Sequence, residues 1–186
     1  MKRIAVVDSS PLINLVHLEL AEKLHFYFDT IYVPRMVHRE VNRKSRFRYR
    51  LNKLYAEGTF RRCTTGDAVS VNLLLDVLDE GEAEVLVQAS QVGAAVFIGD
   101  EKAGRTMSLS RGIGPIGTAR LLARLHVEGF AADAMTLMKK LKRDLGCYVA
   151  IGLSTMPSRT QQSCFSNPPA PRCWFLETCG NGQYFP

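Results

Sequence analysis

Two aspartates each follow a short apolar run, and their positions point to one shared site. Asp8 follows residues 4–7, Ile-Ala-Val-Val, and Asp100 follows residues 94–99, Ala-Ala-Val-Phe-Ile-Gly. Runs this short and this rich in apolar residues predict buried parallel strands rather than helices. In an open α/β sheet the working site lies outside the carboxyl ends of the strands, so both carboxylates should converge there. Because converging carboxylates repel each other, we expect a hard divalent cation between them.

Two glutamates share helical faces with apolar residues. Glu40 lies three positions after Val37, and Glu82 lies three positions before Val85. Positions three apart stack on one side of a helix, so both glutamates are predicted to face the sheet, where an isolated ion is costly. Glu84 stacks instead with two glutamines, and we expect it to face water.

Each glutamate also has an ordinary structural interpretation. Glu40 could pair with Arg43 or Lys44, and Glu82 could stabilise the start of its own helix through the helix dipole. Considered singly, these interpretations are at least as good as a functional one. Considered with the two strand-end aspartates, a cluster of four carboxylates is the better hypothesis.

The net charge of +6 is concentrated in one segment. Residues 35–62 carry ten Lys and Arg against two Glu, a local charge of +8, whereas the rest of the chain carries −2. A basic stripe on a near-neutral domain favours a polyanionic partner, although a solvated helix face would have the same composition. Phe47 and Tyr49 alternate with arginines here and could stack on bases or anchor the helix in the core.

Composition argues against several classes of protein. No apolar run approaches the roughly 20 residues of a membrane span, and Asp8 interrupts the first apolar run, which is unlike a signal peptide. A cytoplasmic location away from membranes is therefore the expectation. The five cysteines form no C-x-x-C pair and the four histidines are scattered, which argues against a zinc site and a disulfide framework.

Gly, Pro and helix-capping residues divide the chain into alternating segments. Strands are predicted at residues 4–7, 30–33, 60–63 and 94–99. Helices are predicted from Pro11 onwards and at residues 34–56, 69–78, 80–92, 101–109, 118–128 and 133–145, with a glycine-rich loop at 112–117. This alternation predicts an α/β fold with a mainly parallel sheet over residues 1–153. Residues 154–186 contain five prolines and no apolar periodicity, so we expect an irregular or disordered tail.

Five blocks of sequence together resemble one known family. They are Val-Val-Asp-Ser-Ser-Pro-Leu-Ile-Asn-Leu at 6–15, Val-Pro-x-x-Val-x-x-Glu-Val at 33–41, Asp-Glu-Gly-Glu-Ala-Glu-Val at 79–85, Val-Phe-Ile-Gly-Asp-Glu-x-x-x-Arg at 96–105, and Gly-Pro-Ile-Gly-Thr-Ala-Arg-Leu-Leu at 114–122. Over about residues 2 to 150 the chain resembles the PIN-domain nucleases, in the branch related to toxin ribonucleases of toxin–antitoxin pairs. The resemblance implies a three-layer α/β/α fold with a central, mainly parallel sheet.

The resemblance also implies a metal-dependent endoribonuclease that hydrolyses RNA with Mg²⁺ or Mn²⁺. The family's catalytic, metal-binding acids fall on Asp8, Glu40, Glu82 and Asp100. Groups that would hold the substrate fall on Ser9, Arg43, Arg46, Arg48 and Arg105. Many relatives carry Asp in place of Glu82, and Glu101 beside Asp100 could replace or assist it. A small antitoxin partner and homodimerisation are implied by the resemblance alone.

Other functions fit the sequence less well. The G-x-G-x-x-G pattern at residues 112–117 lacks the preceding strand that a dinucleotide-binding site needs. A dehalogenase-type phosphatase needs a second Asp two residues after the first, where Ser10 stands, and a receiver domain would need further paired acids and a later Lys. A catalytically silent module that binds nucleic acid or an antitoxin stays open, although the presence of all four acids argues against it.

Overall fold

Five parallel strands form one sheet in the order β3-β2-β1-β4-β5. The computed structural model describes residues 3–64 and 67–147, so the predicted tail at 154–186 lies outside the described residues. The strands are β1 (Ile4–Val7), β2 (Thr30–Pro34), β3 (Phe60–Cys63), β4 (Val96–Ile98) and β5 (Gly114–Ile116). Each neighbouring pair is parallel, which confirms the predicted α/β class.

Helices connect the strands and make the fold a three-layer α/β/α arrangement. They are α1 (Ser9–His17), α2 (Arg35–Arg43), α3 (Ser45–Ala56), α4 (Ala68–Asn72), α5 (Glu80–Gln91), α6 (Lys102–Ser110), α7 (Thr118–Val127) and α8 (Ala134–Leu145), with a 3₁₀ turn at Ala21–Phe26. None of the helices in the described ranges is long and apolar enough to cross a membrane.

The central strands are apolar on both faces. Val6 and Val7 in β1 and Phe97 and Ile98 in β4 are fully buried. A parallel sheet covered by helices on both sides needs such strands, because neither face contacts water. This is why continuous apolar runs, rather than alternating ones, were the correct signal for these strands.

Three predicted elements differ in the structure. The glycine-rich loop at 112–117 was a wrong prediction: Gly114–Ile116 form the edge strand β5, where Pro115 is tolerated and backbone groups pair with β4. The helix predicted at 69–78 is also wrong in length, since α4 ends at Asn72 and turns follow. The basic helical stretch is divided at Lys44, whose extended backbone separates α2 from α3.

The strand order places β1 and β4 side by side at the centre of the sheet. The chain leaves β1 toward β2 on one side and returns through β4 on the other, which makes this a topological switch point. Val7 is in register with Ile98, and the Asp8 N–H donates to the Ile98 carbonyl at 2.9 Å. Ligands of open α/β sheets bind where such a crevice opens at the carboxyl ends of the strands.

The Phe97 ring lies directly against Gly99 at the end of β4. A Cβ atom added at Gly99 would lie 2.2 Å from Cζ of Phe97. We expect Gly99→Ala to lower the free energy of unfolding by about 1–3 kcal/mol, because the buried ring must shift within a packed core. Chemical denaturation measures this loss. In a Phe97→Leu background the same substitution should cost much less, and an equal loss in both backgrounds would contradict the packing argument.

Candidate active site

A cleft with a volume of about 510 Å³ opens beside the end of β1. Its walls come from the start of α1, from α2, from the start of α5 and from the residue before α6. The acids that line it are Asp8, Glu40, Asp79, Glu82 and Glu101. Arg39 and Arg43 line it as well. The cleft therefore combines converging carboxylates with cationic side chains.

Asp8 is the most deeply buried acid of the cleft. Only 6% of its surface is exposed, and its Oδ1 accepts a hydrogen bond from the Ser9 N–H at 2.7 Å. The pKa of Asp8 is raised to about 7, chiefly by burial; the charges of Glu82, Asp79 and Glu40 contribute to the rise, and the hydrogen bond from the Ser9 N–H opposes it. The chain thus holds a carboxylate at a position that disfavours its negative charge.

Glu82 lies in the first turn of α5, whose N-cap is Asp79. The Asp79 Oδ1 accepts from the Glu82 N–H at 2.7 Å, so Asp79 rather than Glu82 is the capping side chain. Glu82 is 7% exposed, and its Oε1 accepts no hydrogen bond within the described residues. Burial, Asp79 and Glu101 raise the pKa of Glu82, whereas the nearby N–H groups of Asp79 and Gly104 lower it.

Glu40 and Glu84 differ from their predicted environments. Glu40 is exposed at the cleft, so its predicted sheet-facing position is wrong; the buried stripe of α2 consists of Val37 and Val41. Glu84, predicted to face water, is only 6% exposed, and its Oε2 accepts from the Met36 N–H at 3.0 Å. The start of α2 has no side-chain cap of its own, so Glu84 of α5 supplies the missing acceptor.

Asp100 lies at the end of β4 but does not line the cleft. Its Oδ1 accepts from the Thr118 N–H at 2.7 Å, and its Oδ2 accepts from the Thr118 hydroxyl at 2.6 Å. Asn14 of α1 also donates to Oδ2, at 3.4 Å. Of the four predicted acids, the structure therefore brings Asp8, Glu40 and Glu82 to one cleft, and it directs Asp100 to the start of α7.

The predicted substrate-binding residues are divided between the cleft and the surface beside it. Ser9 and Arg43 line the cleft. Arg46 and Arg48 are exposed on α3, where Arg46 lies over the Phe47 ring at 4.7 Å. Arg105 is half-buried in α6, and a Cβ added at Gly117 would lie 3.4 Å from its Nη1.

Three other residues of the basic segment differ in their contacts and in their exposure to solvent. Arg50 pairs with Glu19 and donates to the Val16 carbonyl at 3.1 Å, so it stabilises the end of α1. Phe47 is 2% exposed in the core, whereas Tyr49 is 80% exposed. Of these two aromatic residues, only Tyr49 is accessible to a base.

Comparison with known proteins now decides the family. A family model of the PIN domain matches residues 4–156. The chain belongs to the PIN-domain family. No curated protein matches the chain. Among solved structures, the crystal structure of PAE2754 from Pyrobaculum aerophilum is 17% identical and covers 68% of this chain and 99% of its own, with a TM-score of 0.46.

PIN domains are generally nucleases that use divalent metal ions, so the donor set of this cleft is relevant. Within residues 3–64 and 67–147, no group of three or more His, Cys, Asp or Glu side chains is arranged so that it could hold a metal ion. The chemistry of the donors nevertheless fits a hard cation. Asp8 and Glu82 are buried carboxylates that form no ion pair within the described residues, and the Glu82 Oε1 has no hydrogen-bond partner there.

Sequence reasoning missed four residues of this PIN-domain site. Asp79 and Arg39 line the cleft, and Asn14 and Thr118 bind the Asp100 carboxyl. Spacing could have identified two of them. Asp79 stands three residues before Glu82, which is typical of a capping box, and Arg39 precedes Arg43 by four residues on one helical face. The contacts of Asn14 and Thr118 with Asp100 join residues 86 and 18 positions apart, so no local pattern indicates them.

Proposed function

We propose that this PIN domain is a Mg²⁺- or Mn²⁺-dependent endoribonuclease. The observation that supports it most strongly is the pair of buried, uncompensated carboxylates, Asp8 and Glu82, in a cleft at the switch point of the sheet. A buried ion is costly, and evolution of a stable fold alone would favour neutral residues here. The free-energy cost of burying these two carboxylates is explained if they bind a cation.

The metal would be held by Asp8 and Glu82, and Glu40 lines the same cleft. When bound, a divalent cation lowers the pKa of a coordinated water and offsets charge on phosphate oxygens. The residues of the chain prepare this site in the absence of substrate. The Ser9 N–H fixes one Asp8 oxygen, and the Asp79 carboxyl fixes the start of α5 and with it Glu82.

Binding of the substrate backbone is assigned to the cationic residues. Arg39 and Arg43 line the same cleft as the acids, so a phosphate that they bind would lie in the cleft that holds the carboxylates. Arg46 and Arg48 extend the basic surface along α3, and exposed Tyr49 offers a ring on which a base can stack. Without such neutralisation the acids would repel a polyanion.

Four parts of this proposal rest on the sequence and its resemblance to toxin ribonucleases. They are RNA as the substrate, a toxin role with a small antitoxin partner, homodimerisation and a cytoplasmic location. The alternative is a silent PIN module that binds nucleic acid or an antitoxin without turnover. A circular RNA and a circular single-stranded DNA, each with Mn²⁺, Mg²⁺ or EDTA, distinguish these functions. Linearisation of the RNA only with metal supports an endoribonuclease, whereas RNA binding without cleavage under any metal supports the silent module.

Replacement of Arg43 by Gln should weaken RNA binding roughly fivefold, because one phosphate contact is lost. The slope of log affinity against log salt concentration should become shallower by about 0.7, the value for one contact to a single strand. Fluorescence anisotropy in an Asp8→Asn background measures binding without cleavage. Lys140→Gln, an exposed change on α8 outside the cleft, is the control, and an equal effect of both substitutions would contradict the role of Arg43.

A further inference from the structure

One flank of α2 lies beside α3 and does not line the cleft. His38 and Asn42 are four residues apart on this flank, and neither is among the cleft residues. The His38 Nδ1 and the Tyr55 hydroxyl of α3 form a hydrogen bond of 3.0 Å, and Arg48 of α3 donates to the Asn42 carbonyl at 3.4 Å. These contacts join the two helices along a line, the α2–α3 seam.

Arg62 extends the seam onto the edge strand β3. Its guanidinium lies over the Tyr55 ring, 5.5 Å from the ring centroid, and the Tyr55 hydroxyl is in turn held by His38. Arg62 is in register with Val33, one residue before the Pro34 N-cap of α2. The ring occupies one face of the guanidinium and leaves its N–H edges free for a planar set of acceptors such as phosphate oxygens.

The positive charge of the seam is not neutralised by acids. Arg48 and Arg62 are exposed, and neither forms an ion pair within the described part of the chain. By contrast, Arg50 and Lys53 of α3 each pair with a glutamate. Unpaired arginines on one surface favour a polyanionic partner, because they gain charge-assisted hydrogen bonds only from outside the chain.

The dimensions of the seam fit an extended backbone better than a single phosphate. Arg48 and Tyr55 are seven residues apart on α3, which corresponds to about 10 Å along the helix axis. Arg39, which follows His38 directly, lines the cleft. The cleft and the seam are therefore two flanks of one helix, and a strand bound in the cleft can cross α2, a distance of roughly 10 Å, to reach the seam.

We propose that the α2–α3 seam is a second nucleic-acid contact surface, on which Arg62 and Arg48 bind phosphates of the substrate strand outside the cleft. This inference rests on the proposed function, which supplies RNA as the polyanion. It adds that the substrate is held on both flanks of α2, and it assigns a binding role to Arg62 of β3.

Fluorescence anisotropy of a labelled oligouridine of about 24 nucleotides tests the seam, with the full-length chain in the Asp8→Asn background without metal. Arg62→Gln should weaken binding about fivefold and lower the slope of log affinity against log salt concentration by about 0.7, the value for one contact to a single strand. Arg62→Lys retains the charge and should leave the slope unchanged. The unfolding temperature of Arg62→Gln should stay within about 3 °C of the background protein, because the residue is exposed.

Arg61→Gln is the matched control on the same strand. Arg61 is also exposed, but successive residues of a strand point to opposite faces of the sheet, so it points away from Tyr55. Its replacement removes the same charge and should change the affinity by less than about twofold at about 0.15 M salt. The double variant Arg43→Gln/Arg62→Gln should lower the slope by about 1.4, since one strand loses a contact in the cleft and another on the seam.

Several outcomes would overturn the inference. They are an unchanged slope in Arg62→Gln, an equal effect of Arg61→Gln, and a loss that Arg62→Lys does not restore while the unfolding temperature falls, which would leave only a structural contact with Tyr55. Binding of labelled polyglutamate that depends on Arg62, without an effect on the oligouridine, would assign the seam to an acidic protein instead. A wild type that binds RNA but does not cleave it in Mn²⁺ would contradict the proposed nuclease and leave the result for the seam intact.

Discussion

Replacing Asp8 by Asn is expected to raise the midpoint of thermal unfolding of the metal-free protein by about 10 °C at pH 8. Asp8 has a pKa of about 7 in the fold against 3.8 ordinarily. That difference corresponds to about 4 kcal/mol of destabilisation by the ionised carboxylate. Asn is nearly isosteric and retains an oxygen that can accept from the Ser9 N–H, so the start of α1 is preserved.

The pH dependence of this effect has a definite sign. Because the folded pKa of Asp8 lies above the unfolded value, ionisation lowers stability progressively as pH rises from about 4 to 7. Below pH 4 the carboxyl is protonated in both states and contributes nothing. The difference in unfolding midpoint between the variant and the wild type should therefore vanish near pH 4 and reach its maximum above pH 7.

The same substitution should lower the rate of metal-dependent RNA cleavage by a factor of about 10³ or more, because the buried negative donor is lost. Stability and activity thus change in opposite directions, which a misfolded variant cannot mimic. Asp76→Asn, an exposed acid outside the cleft, is the matched control and should change neither property. A destabilised Asp8→Asn variant that retains activity would contradict the assignment.

Replacing Glu82 by Gln should weaken Mn²⁺ binding by a factor of about ten to a hundred and reduce cleavage by about 10² or more. The unpartnered Oε1 is the atom on which this expectation rests, since no hydrogen bond within the described residues accounts for it. The variant should be at least as stable as the wild type without metal, because the pKa of Glu82 is raised and its charge is disfavoured.

Calorimetric titration with Mn²⁺ measures the affinity directly, and thermal unfolding measures the stability. Glu80→Gln is the matched control on the same helix, two residues away and outside the cleft. Unchanged Mn²⁺ affinity in Glu82→Gln, with a fall in stability, would show that Glu82 has only a structural role at the start of α5.

The architecture was predictable because its strongest signals are local. Continuous apolar runs identified β1 and β4, and a parallel sheet then required their carboxyl ends to meet. The edge strand β5 was missed because Gly and Pro disfavour strands in general, and its pairing with β4 is set by tertiary contact.

Side-chain environments on the helices were less predictable. Helical phase placed Glu84 among polar residues, yet the start of α2 packs there and requires its oxygen as an acceptor. The same reasoning placed Glu40 toward the sheet, whereas the narrow buried stripe of α2 excludes it. Long-range partners such as Thr118 for Asp100 depend on how elements pack, and no spacing in the sequence encodes them.

The rate of RNA cleavage by the wild type and by Asp8→Asn, compared at equal concentration in Mn²⁺ and in EDTA, tests the central claim most directly. We predict cleavage by the wild type in Mn²⁺, none in EDTA, and a loss of about 10³ or more in the variant under conditions where it remains folded and more stable. Cleavage that persists in EDTA, or that survives in Asp8→Asn, would contradict the account.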